Sequence, residues 1–135
     1  MEKTIEIKSA LPDEKGNAVN LPIKFKATAN IPRMYRIWFR RDIIKDMQQL
    51  KKSAKESEEN NKEFTIEDLS IFENVAYCMA RLADLENTPK TIDEWLDGFS
   101  TFSIYEILPQ ILELWEMNLE TTSEAKKKQK KLTAR

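Results

Sequence analysis

Few side chains in this sequence could carry out chemistry. The 135 residues include no histidine, one cysteine and two glycines. The lack of imidazole removes Ser–His and Cys–His nucleophile pairs and histidine metal ligands, and two glycines cannot make a glycine-rich phosphate loop. Carboxylate pairs occur on polar helix faces and in a charged loop, where solvent exposure accounts for them. The sequence therefore predicts a protein that is not an enzyme, with no catalytic, cofactor-binding or metal-binding residues.

The one thiol, Cys78, falls on the apolar side of a predicted helix. Without a second cysteine it can form no internal disulfide, and we expect it to be a small core residue. No run approaches the roughly 18 apolar residues of a membrane span, and the first ten residues lack the apolar stretch of a signal peptide. We therefore expect a cytoplasmic protein that does not bind membranes.

The net charge of −1 hides a segregation of charge along the chain. Residues 125–135 carry six basic groups and no acid, which leaves 16 basic against 23 acidic groups in residues 1–124. The body therefore has a net charge of −7 beside a basic tail. An acidic body of this kind does not favour nucleic-acid binding through a basic surface.

The chain is organised around a predicted central helix over residues 66–85. Its apolar side chains span an arc of roughly 200°, whereas a helix that packs on one side needs little more than 100°. We therefore expect neighbours on two sides, with Tyr77 in the narrow polar remainder, and a capping box formed by Thr65 and Asp68. The apolar positions are Leu69, Ile71, Phe72, Val75, Ala76, Cys78, Met79, Ala80, Leu82 and Ala83.

Two half-buried strands are predicted before the helices, over residues 4–9 and 21–27, because apolar and polar residues alternate there. Turn residues around Gly16 favour an antiparallel ribbon with a long loop, and Pro22 suits a sheet edge. A lone ribbon is marginal in water, so it must lie on the helices or on another subunit. The inward-facing residues are Ile5, Ile7, Leu21, Ile23 and Phe25.

A first helix is predicted from about Ile31 to about Ser53, with two apolar sides separated by arginines. One interpretation buries both sides, since interior aromatics are usually core. The other makes Trp38 and its neighbours a docking surface, because Trp and Arg are enriched at binding hot spots. On that second interpretation the partner-binding residues are Met34, Ile37, Trp38, Arg40, Arg41 and Ile44.

The rest of the chain completes an α+β, mainly helical fold. Residues 51–63 are predicted to be a solvated linker, and a short helix that buries Trp95 follows the central helix. A last helix begins after Ser103, with Pro109 on its polar side and Leu119 on its apolar stripe. We expect one folded domain over residues 1–120, with the ribbon in 1–28 and a bundle of about four helices in 29–120. Residues 121–135 should form a disordered basic tail.

Three stretches carry a resemblance to a known family, and they occur in its order and spacing. They are YRIWFRRD (35–42), AYCMA (76–80) and EWLDGF (94–99). Together with their surroundings, over roughly residues 23–128, they resemble the tail assembly chaperones of long-tailed phages that infect low-GC Gram-positive bacteria.

The resemblance implies a small helical protein that acts in the host cytoplasm and is absent from the mature virion. Such chaperones are thought to bind the tape measure protein and then to be displaced by tail tube subunits. Many are also made in a longer form by a programmed ribosomal frameshift, and Lys126–Lys128 lie where the slip would fall. A solubilising basic extension explains these lysines equally well.

Two other functions stay open at this point. A structural tail subunit would use the ribbon to extend a neighbour's sheet, and a nucleic-acid-binding protein would use the lysine tail. A monomer, a homo-oligomeric ring and a dimer are all compatible with the sequence.

Overall fold

The computed structural model describes residues 1–119 with their side chains and residues 120–133 by their backbone alone. Over these residues the fold is α+β and mainly helical, as predicted. The predicted disordered tail, residues 121–135, lies outside the fully described residues. The elements in chain order are β1 (Glu2–Lys8), β2 (Asn20–Lys26), α1 (Ile31–Phe39), α2 (Ile43–Asn60), α3 (Ile66–Ala83), α4 (Ile92–Asp97) and α5 (Ile104–Thr133).

The two strands form the predicted antiparallel ribbon, with Ile5 opposite Ile23 and Ile7 opposite Leu21. Alternation places Ile5, Ile7 and Phe25 in the core, because successive side chains of a strand point to opposite faces. The ribbon lies on the helices of its own chain, with β2 against α3 and β1 against α5. This contact supplies the cover that an isolated ribbon needs.

The central helix α3 packs against β2, α1, α2, α4 and α5, so the expectation of neighbours on two sides is confirmed. The Thr65–Asp68 capping box is present, and Cys78 is fully buried. Two residues of α3 differ from the predicted pattern of buried and exposed positions. Tyr77, predicted to be polar-facing, is buried, and its hydroxyl donates to the Pro89 carbonyl at 2.5 Å. Leu69, predicted to be on the apolar side, is 40% exposed.

The predicted first helix is in fact two helices. Arg40 has a left-handed backbone (φ 55°), and its N–H donates to the Arg36 carbonyl at 2.8 Å to end α1. Asp42 then caps α2 by accepting from the Ile44 N–H at 2.9 Å. The predicted linker is also wrong over residues 51–60, because α2 continues to Asn60.

Aromatic rings join the ribbon to the later helices. Trp95 on α4 is buried, as predicted, and meets the rings of Phe25, Tyr77 and Phe102 edge-on. Such contacts stabilise a core beyond the area they bury. Helix α5 passes through Pro109, which is exposed as expected. The expected stripe fails at Leu119, which is 42% exposed.

Candidate docking surface

The residues predicted to bind a partner lie on α1, on α2 and in the turn between them. The left-handed backbone of Arg40 and the cap at Asp42 interrupt the helix over residues 40–42, so α1 and α2 meet at a turn. As a result, side chains that a single straight helix would spread along its axis are gathered at one corner.

The corner is held by the buried carboxylate of Asp46. Arg41 donates to it through two nitrogens, Nε to Oδ2 at 2.8 Å and Nη2 to Oδ1 at 2.9 Å. Tyr35, which is fully buried on α1, donates its hydroxyl to Oδ2 at 2.5 Å. One carboxylate therefore ties α1, the turn and α2 together by charge-assisted hydrogen bonds.

The titration of this triad follows from its contacts. Burial acts to raise the pKa of Asp46, but the hydrogen bonds from Arg41 and Tyr35 outweigh it and hold the pKa below its usual value. Burial, followed by the hydrogen bond to Asp46, raises the pKa of the Tyr35 hydroxyl. The charged carboxylate and the neutral phenol are therefore both stable across the physiological range.

The six predicted residues fall into two groups. Four are exposed, namely Ile37, Ile44, Arg40 and Arg41, with exposures of 53% and 43% for the two isoleucines. Met34 and Trp38 are half-buried and pack against the core. The interpretation of burial therefore holds in part for Met34 and Trp38, whereas the docking interpretation stays a prediction for the exposed residues.

Trp38 has a specific partner inside the molecule. The guanidinium carbon of Arg81 on α3 lies 4.4 Å from the centroid of the Trp38 ring, a cation–π contact. The Arg81 Nε is buried and has no hydrogen-bond partner in the described part of the chain. Trp38 thus joins α1 to α3 while keeping part of its ring at the surface.

A groove of about 600 Å³ opens at this corner, and we call it the corner groove. It brings together three of the six predicted residues, Arg40, Arg41 and Ile44, but does not include Met34, Ile37 or Trp38. Its lining is Pro32, Arg36, Arg40, Arg41, Asp42, Ile43 and Ile44.

The positive charge of the groove comes from two of its three arginines. Arg41 is committed to Asp46, whereas neither Arg36 nor Arg40 forms an ion pair with any described residue. The charge of Asp42 is the only negative one in the lining. The corner groove is therefore a basic and partly apolar patch on a body that is acidic as a whole.

Sequence reasoning missed four of the seven lining residues: Asp42 and Ile43 at the start of α2, and Pro32 and Arg36 on α1. The last two could have been found. Their signal was present, because Pro32, Arg36 and Arg40 are spaced four apart and so lie on one ridge of a helix. The prediction followed the stripe that contains Trp38, which lies roughly 160° around α1 from Arg36.

The described residues contain no group of acidic, cysteine or histidine side chains that could hold a metal ion. Among the described helices, none has the length and apolar content needed to cross a membrane. No family model, curated protein or solved structure matches this chain.

Proposed function

We propose that the protein is a phage tail assembly chaperone that binds the tape measure protein, and also tail tube subunits, during assembly. The proposal starts from the resemblance of residues 23–128 to that family. The observation that carries it is the corner groove, where the exposed Ile44 lies with Arg36 and Arg40, which form no ion pair with any described residue. Ile37 is also exposed, on α1 outside the groove lining.

This arrangement suits a helical client. An amphipathic helix laid on the corner would place apolar residues on Ile37 and Ile44 and acidic residues near Arg36 and Arg40. The triad around Asp46 holds the corner in shape before binding, so less conformational entropy is lost on association. The negative charge of the rest of the body keeps the complex soluble.

Co-expression with the tape measure protein of the same phage tests the proposal. We expect that protein to stay soluble and to co-purify with the chaperone. If it precipitates and nothing co-purifies, the proposal fails.

A matched pair of variants tests the surface itself. The double variant Ile37→Ser with Ile44→Ser removes two exposed apolar contacts at about 1 kcal/mol each, so affinity for the client should fall roughly thirtyfold. Leu11→Ser is the control, because Leu11 is 77% exposed in the loop at the far end of the ribbon. That end lies about 20 Å of strand away from the start of α1. If the double variant loses no more affinity than Leu11→Ser, the client binds elsewhere.

The alternative of a structural tail subunit is separated by mass spectrometry of purified virions. A chaperone leaves before the particle is complete, so its peptides should be missing. Recovery in many copies per particle would favour the structural role.

A further inference from the structure

A second surface, separate from the corner groove, lies at the outer edge of β1. The register shows which residues form that edge. Met1 and Ala27 exchange backbone hydrogen bonds at 2.9 and 3.2 Å, and Ser9 donates to Val19 at 2.8 Å. Odd-numbered residues of β1 therefore bond to β2, and the N–H and C=O groups of even-numbered residues point away from it.

The chain itself already uses part of this edge. The Ser100 N–H donates to the Lys8 carbonyl at 3.0 Å, and the Ala10 N–H donates to the Gly98 carbonyl at 2.9 Å. Residues 98–100 thus add a short third segment at Lys8, and they extend no further along β1. The backbone groups of Glu2, Thr4 and Glu6 bond to no other segment of the described chain.

The outward-facing residues of the two ribbon edges differ in type. On β2 the outward positions are Asn20, Pro22, Lys24 and Lys26. Pro22 has no N–H to donate, and lysines are typical of protected edges, so another strand cannot readily pair there. The outward positions of β1 contain neither proline nor, before Lys8, any lysine.

The free edge borders a cleft of about 450 Å³ between β1 and the start of α5. Four consecutive β1 residues, 5–8, line one side, and Ile107 and Gln110 line the other. Ile5, Ile7 and Ile107 give the cleft an apolar floor. Of the three exposed side chains at the free edge, Glu2 and Glu6 are acidic and Thr4 is uncharged.

We propose that the free β1 edge binds an extended segment of another protein as an added strand, and that this segment alternates apolar residues with lysine or arginine. Its backbone pairs with Glu2, Thr4 and Glu6, its apolar side chains enter the cleft, and its basic side chains lie beside the two glutamates. This surface shares no residue with the corner groove, so the inference does not depend on the proposed function.

A second copy of the chain fits the edge poorly. Outward residues must pair with outward residues, so two β1 strands centred on Thr4 place Glu2 opposite Glu6 twice, which is unfavourable. The register that would bring Glu2 opposite Lys8 needs the position that residues 98–100 occupy. The β2 edge of a second copy carries Pro22.

The test measures binding of a fluorescent peptide, KVKIKVK, to the whole protein by anisotropy. The variant Thr4→Pro removes an outward N–H without breaking a bond to β2, and Thr4→Val is its control, which keeps the N–H. Far-UV circular dichroism checks that both fold. We expect Thr4→Pro to weaken binding at least fivefold relative to Thr4→Val, the loss of about one hydrogen bond.

A second experiment reverses the charge of the free edge and of the peptide. The double variant Glu2→Lys with Glu6→Lys should prefer the acidic peptide EVEIEVE, whereas the unmodified protein should prefer KVKIKVK. A KVKIKVK peptide with N-methylated lysines should not bind, whatever the stability of the variants, because in antiparallel pairing the lysines lie opposite Glu2, Thr4 and Glu6 and their N–H groups face β1. Absence of binding at millimolar peptide, equal affinity of Thr4→Pro and Thr4→Val, or a dimer that Thr4→Pro dissociates would overturn the proposal.

Discussion

The carboxylate of Asp46 should be among the most costly side chains to remove from this protein. In Asp46→Ala the fully buried Tyr35 hydroxyl loses its acceptor, which costs about 1–3 kcal/mol. Arg41 also loses its partner, but its side chain is 43% exposed and water can replace the carboxylate, so that loss is about 1 kcal/mol or less. We expect a destabilisation of about 2–4 kcal/mol, a large part of the stability of a domain this size.

Urea unfolding followed by circular dichroism at 222 nm measures this loss, and Tyr35→Phe makes the reasoning specific. Once the hydroxyl is gone, Asp46→Ala leaves no buried donor without an acceptor. The loss of unfolding free energy in the double variant should therefore be smaller, by about 1 kcal/mol or more, than the sum of the losses in the two single variants. If the two losses simply add, the hydrogen bond between Tyr35 and Asp46 contributes nothing, and the account of the corner is wrong.

The same carboxylate predicts a pH dependence with a definite sign. Its pKa is lower in the folded than in the unfolded protein, so its stabilisation is complete above the unfolded pKa of about 3.9 and is lost as the pH falls through the folded value. Below about pH 4 the free energy of unfolding of the natural protein should drop more steeply than that of Asp46→Asn. Parallel curves would contradict the lowered pKa.

Three further predictions concern the core. Burial raises the pKa of the Cys78 thiol to about 12. At pH 8 the thiol should therefore react with Ellman's reagent only after urea is added, and rapid reaction of the folded protein would show that α3 opens. Asp68→Ala should cost about 2 kcal/mol in urea unfolding, because Gln49 and Ser53 both donate to this carboxylate at 3.0 Å, whereas Gln49→Ala should cost less than half of that. Trp95→Ala should lower stability by about 3–5 kcal/mol and reduce the midpoint of thermal unfolding; a loss under 1 kcal/mol would mean that the aromatic cluster is not part of the core.

The ribbon and the central helix could be predicted from the sequence because their signals are local. Alternation assigned Ile5, Ile7 and Phe25 to the core, and the Thr65–Asp68 capping box placed the start of α3 at the correct residue. Tyr77 was wrongly assigned to the polar side of the helix, since helical periodicity cannot show that the Pro89 carbonyl supplies an acceptor from a distant turn.

The break between α1 and α2 was missed for a different reason. A left-handed arginine is uncommon and has no sequence signature, so Arg40 looked like part of a continuous helix. The signal that did exist was Asp42 directly before Ile43, a typical N-cap. The polar end of α2 was missed because lysine, glutamate and alanine favour helices even without an apolar face, and an ion pair of Lys51 with Glu116 on α5 at 2.7 Å tethers it.

The break also explains why the first helix has apolar residues on opposite sides. A straight helix over residues 31–53 would have to be covered along both stripes, but the turn at residues 40–42 lets Tyr35, Ile43 and Met47 face one core. Ile37 and Ile44 then remain outside, next to arginines that nothing in the described chain neutralises. A fold that needed these two isoleucines for stability would have buried them. Their exposure at a corner fixed by Asp46 is therefore the premise on which the proposed docking role depends.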